Sequence, residues 1–133
     1  MLADLEVPLQ FHSIQVEREL RTNWLRLRQA VLAAPQKPKI ALEIMTASFS
    51  SFTALFRHAL IALGEQPAEA KREAIDRIAK FAGADPAGFR AILAFREGKL
   101  KEREMNVEST MNQYFAFVEA VTDEFDRRIE SKR

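Results

Sequence analysis

Ile40-Ala-Leu-Glu-Ile-Met-Thr-Ala-Ser-Phe-Ser-Ser-Phe-Thr-Ala-Leu-Phe-Arg-His-Ala-Leu-Ile-Ala-Leu63 is the stretch whose reading decides the fold. It holds neither Gly nor Pro, and Met45, Phe49, Phe52, Phe56 and Leu63 recur in steps of three, four and seven, which puts them on one stripe of an α-helix. Ile44, Leu55 and Ala62 populate a second side, and the faces between carry mainly the small residues Thr46, Ala47, Ser48, Ser50, Ser51 and Thr53. A helix that is apolar on more than one side must be wrapped by neighbours. The stretch therefore reads as the central member of a helical bundle, and it offers almost no chemistry.

Working outward, the chain is punctuated by Pro8, by Pro35 and Pro38, by Gly64 and Pro67, by Gly83 and Pro86, and by Gly98. Each break is a helix boundary in the making. A first helix is expected from about Phe11 to Ala33, with Val16, Leu20, Trp24, Leu27 and Val31 inward and Arg18, Arg21 and Arg28 outward. Gly64 is placed to cap the long second helix in a left-handed conformation. A third helix from about Ala68 to Ala82 would bury Ala74, Ile75, Ile78 and Phe81 or Ala82. Asp85 before Pro86 signals the start of a short fourth helix, with Phe89, Ile92 and Leu93 inward and Gly98 as its stop.

The charged run Lys99-Leu-Lys-Glu-Arg-Glu-Met105 reads either as a mobile loop or as a frayed extension of the next helix. Asn106 then caps a last helix, in which Val107, Met111, Tyr114, Val118, Val121, Phe125 and Ile129 follow steps of four and three. Phe115 and Phe117 lie off that stripe. They either close the bundle against the fourth helix or leave an apolar surface for a partner. The expected architecture is an all-α, up-and-down bundle of about five helices, three long and two short, mostly antiparallel, over residues 11–133, with a linker or tail at 1–10.

Composition narrows the function classes. The 133 residues suit one domain with one core. A net charge of +1 supplies no field that recruits nucleic acid or anionic lipid by itself, and Glu17 and Glu19 dilute the arginines Arg18, Arg21, Arg26 and Arg28. The absence of Cys excludes disulfides and thiolate zinc sites. The first eight residues carry two acids and no basic, apolar leader, and no stretch is long and charge-free enough to span a bilayer, so a cytoplasmic protein is expected.

Candidate chemistry is sparse. His12 and His58, the only histidines, fall in different helices and lack a ligand one turn away, so no metal or other cofactor is expected. The four glycines are scattered as punctuation and form no phosphate-cradling loop. Ser48, Ser51 or Thr53 with His58 would make a nucleophile and base only on paper, since hydroxyls inside a packed helix serve close approach. Arg57 and His58 are the polar pair that interrupts the long helix. At the bundle rim, Arg57 would bond a Glu of the first or last helix. In a cleft it would instead bind an anion such as a nucleotide phosphate, and Arg57→Ala would abolish that binding while sparing the fold.

The segment Pro38 to Glu65, then Ala79-Lys-Phe-Ala-Gly-Ala-Asp-Pro86 and the amphipathic end helix, resembles the helical C-terminal region of bacterial nucleotidyltransferase-like proteins. It is similar to the substrate-binding helical domain of kanamycin nucleotidyltransferase and, more distantly, to the HEPN superfamily. The resemblance implies a non-catalytic module that packs beside a nucleotidyltransferase catalytic domain in cis or in trans, helps form its substrate cleft, or makes a homodimer. The family's Gly-Ser turn and Asp-x-Asp magnesium pair are missing, because no Gly-Ser dipeptide occurs anywhere in the chain. HEPN ribonucleases pair an Arg with a His four to six residues on. Arg57 followed by polar His58 matches the first half of that motif, but Ala62, Leu63 and Gly64 stand around the position of the second His.

Overall fold

The computed structural model describes residues 9–131. Five α-helices follow one another: α1 (Leu9–Ala33), α2 (Pro38–Ala62), α3 (Lys71–Ala82), α4 (Ala87–Arg96) and α5 (Val107–Ser131). No strand occurs among the described residues. The fold is thus an all-α bundle of three long and two short helices. Residues 1–8 of the expected tail lie outside the described residues, whereas Leu9 and Gln10 already belong to α1.

Local signals set the helix ends. Pro38 opens α2, where its missing N–H costs nothing. At the other end Gly64 takes φ 84°, and the Glu65 N–H reaches back to the Leu60 carbonyl at 2.9 Å. Any side chain would strain that left-handed turn. Asp85 accepts the Ala87 N–H at 2.9 Å and starts α4, and Asn106 accepts the Ser109 N–H at 3.0 Å and starts α5. α3 begins at Lys71 and not near Ala68, because Ala70 is extended and the Glu73 carboxylate holds the Glu69 N–H just ahead of the helix. The charged connector is neither loop nor helix extension alone. It contains a 3-10 turn, Glu102–Glu104, closed by the Lys101 N–H on Glu104.

α2 and α5 form the centre, and each contacts the other four helices among the described elements. Met45, Phe49, Phe52 and Phe56 on α2 are fully buried, as are Tyr114, Val118, Val121 and Phe125 on α5. α4 inserts Phe89 between them. Its ring stacks on Tyr114 at 4.1 Å and meets Phe49, Phe52, Phe56 and Phe117 at 5.1 to 6.2 Å. Burying each such ring contributes about 2 kcal/mol from apolar area alone.

Close approach of α4 to α5 depends on Gly88. A Cβ there would stand 2.5 Å from the Tyr114 amide nitrogen, so this glycine is a contact surface and not punctuation. α1 is antiparallel to α2, its start lying against the end of α2 at His12 and His58. α2 and α5 run in the same direction: Ile44 lines one cleft with Met111, while Phe56 meets Phe117. α3, α4 and the connector together carry the chain back between them.

α2 is central without being wrapped. Ala47, Ser50, Ser51, Ala54 and His58 form an exposed edge. Beside it Arg96 of α4 lies over the Phe49 ring at 5.1 Å and donates to the Ser50 hydroxyl at 3.0 Å. One long arginine shields the aromatic stripe where a helix was expected.

Candidate functional site

The polar residues of interest gather where α1 begins and α2 ends. Arg57, partly buried on the last turns of α2, donates from Nη2 to the backbone carbonyl of Glu69 at 3.2 Å. Its partner is therefore the loop that joins α2 to α3, and no Glu of α1 or α5. Its Nε is buried and has no hydrogen-bond partner. Arg77 of α3 grips the same loop, donating to the Gln66 carbonyl at 2.7 Å and to the Glu73 carboxylate at 3.0 Å. The Glu69 N–H first, and Arg77 next, hold the Glu73 carboxyl below its ordinary value. Two arginines thus bind the returning loop by its carbonyls, which a loop without helical hydrogen bonds needs.

His58 projects from the neighbouring face and is exposed. Its ring meets His12 of α1 edge to face, with centroids 5.5 Å apart. His12 is partly buried, and its Nε2 has no hydrogen-bond partner. The two histidines lie in separate helices, as their spacing in the sequence implies, and the fold makes them neighbours. A usable signal was present: each lies 23 residues from Pro35, so a hairpin turning there brings them side by side.

Of the α2 hydroxyls, Ser48 and Thr53 are committed elsewhere, while Ser51 stands on the exposed edge that also carries His58. Thr53 bonds the Ser50 carbonyl, while Ser48 bonds the Met45 carbonyl and the Tyr114 hydroxyl, the latter at 2.8 Å. The Tyr114 hydroxyl also donates to the Met45 carbonyl at 3.2 Å, and burial pushes its phenol well above the ordinary range. Among the described residues no group of three or more His, Cys, Asp or Glu is placed to hold a metal ion.

The two off-stripe phenylalanines part company. Phe117 is 1% exposed, packed edge-on to Phe56 at 5.7 Å, and leaves no surface for a partner. Phe115 is partly exposed and packs on Trp24 of α1 at 5.4 Å, not on α4. Trp24 in turn lies 5.8 Å from the Arg28 guanidinium.

One turn along α5, Met111 enters a cleft of about 450 Å³ at the α1–α2 turn, together with Val31, Ala41, Ile44 and Val107. Leu32 stands on its rim, 79% exposed. No helix among the described residues is long and apolar enough to cross a membrane. Comparison with protein-family models, with curated proteins and with solved structures finds no match to this chain.

Proposed function

We propose that this chain is a non-catalytic helical interaction module of the cytoplasm, of the kind that packs beside a nucleotidyltransferase catalytic domain in cis or in trans. One observation carries the reading. The Trp24–Phe115 pair between α1 and α5 and the cleft lined by Ile44, Met111 and Leu32, the last 79% exposed, leave apolar side chains partly open along this seam. An isolated exposed Leu is ordinary, but one set on the rim of an apolar cleft is surface that a partner covers. Lys37 and Glu108 on the same rim give both signs of charge to a polar border. Substrate binding in a cleft shared with that partner is the finer part of the proposal. A homodimer through the same seam is the competing occupant.

The test begins with the DNA upstream of codon 1 and in the adjoining genes, read for a frame encoding Gly-Ser and an Asp-x-Asp pair. Such a domain, co-expressed with this chain, should co-elute with it, and Leu32→Asp should separate the two without lowering the stability of the chain. Light scattering on the chain alone separates the dimer reading. Failure of a catalytic domain so encoded to bind, or binding indifferent to Leu32→Asp, would sink the proposal.

A further inference from the structure

We propose that His12 and His58 form a two-imidazole chelate for a borderline transition-metal ion such as Zn²⁺ or Ni²⁺, clipping the start of α1 to the end of α2. Their ring centroids are 5.5 Å apart. Two imidazoles bound to one tetrahedral ion at about 2.1 Å have centroids about 5.2 Å apart, so the two rings already stand at about chelating separation. His12 Nε2 is buried and has no hydrogen-bond partner, although buried ring nitrogens in native proteins are nearly always satisfied. A metal ion satisfies it.

His58 supplies the approach. It is exposed, so an ion can enter from solvent, and the broad terminal torsion of a histidine side chain leaves its ring free to turn toward an ion. No third protein donor joins the pair among the described residues. Water completes the coordination, which makes the ion exchangeable and distinguishes this clip from a closed structural zinc site. Imidazole is a suitable donor for zinc and nickel, whereas magnesium and calcium prefer oxygen. Because the two ligands come from helices brought together only by folding, the ion binds the folded chain and raises its stability.

The experiment uses the full chain without a purification tag, titrated with Ni²⁺ and separately with Zn²⁺. Calorimetry should give one ion per chain, both imidazole resonances should shift together in the nuclear magnetic resonance spectrum, and the unfolding midpoint should rise and return on adding chelator. His58→Gln, a change at an exposed position that spares folding, should weaken binding at least about tenfold, since the second ligand no longer acts intramolecularly. His12→Gln should match it where the variant folds. Binding unchanged in His58→Gln, a shift confined to the His58 ring, or no binding at all would each overturn the proposal.

Discussion

Gly88→Ala tests how the aromatic centre is assembled. The added Cβ would lie 2.5 Å from the Tyr114 amide nitrogen, 2.9 Å from the Gln113 carbonyl carbon and 3.0 Å from the Gln113 Cβ. Ordinary contacts between such atoms are about 3.5 Å or more, so α4 must retreat by about 1 Å against a backbone that cannot give. Alanine recovers at most about 1 kcal/mol of helix propensity, and less at the second residue of α4. Overpacking costs about 1–3 kcal/mol, and opening the Phe89–Tyr114 stack adds about 1 kcal/mol. The net loss is about 2 kcal/mol, or about 8 °C in the unfolding midpoint at about 4 °C per kcal/mol for this size. Urea and thermal unfolding followed by circular dichroism read it, and the near-ultraviolet signal of the single tyrosine reports the stack. A variant as stable as the parent would mean that α4 does not lie on α5 as described.

Two further outcomes follow from the same packing. Phe117→Ala should cost about 4 kcal/mol and Phe115→Ala less than half of that, because only the first empties a sealed site; equal losses in urea unfolding would contradict the burial of Phe117. Burial holds the Tyr114 phenol above its usual value of about 10, so the folded chain keeps this proton to higher pH than the unfolded one. Its stabilising contribution is whole below about pH 10 and is lost as pH rises beyond it. Unfolding free energy should therefore fall more steeply above pH 10 in the parent than in Tyr114→Phe, and identical slopes would refute the assignment.

What the sequence disclosed was whatever one helix settles by itself. The Met45, Phe49, Phe52, Phe56 stripe and the Val107 to Ile129 stripe depend only on a 3.6-residue repeat, and the caps at Asp85 and Asn106 only on a side chain reaching its own helix. Facts that depend on which helices meet were out of reach. Phe115 and Phe117 sit two residues apart, and nothing local says that one faces α1 while the other faces α4. The role of Gly88 is invisible without α5, and the loop carbonyl that holds Arg57 belongs to no periodic element. The His12–His58 encounter lies between these cases, since the position of Pro35 relative to both encodes it.

These two kinds of feature divide the molecule. The middle is a sealed aromatic cluster in which Tyr114 satisfies its hydroxyl on Ser48 and Met45, and a side-chain change there is read out as stability. The ends hold the unfinished chemistry: an imidazole nitrogen and a guanidinium Nε without partners at one, an apolar cleft under exposed Leu32 at the other. Because α1 spans 25 residues between these ends, about 37 Å at 1.5 Å per residue, they are too far apart to share one small ligand. Binding events at the two ends are therefore separable by mutation. His58→Gln leaves the cleft intact and Leu32→Asp leaves the imidazole pair intact, and since both positions are exposed, neither change reaches the core on which both ends are built.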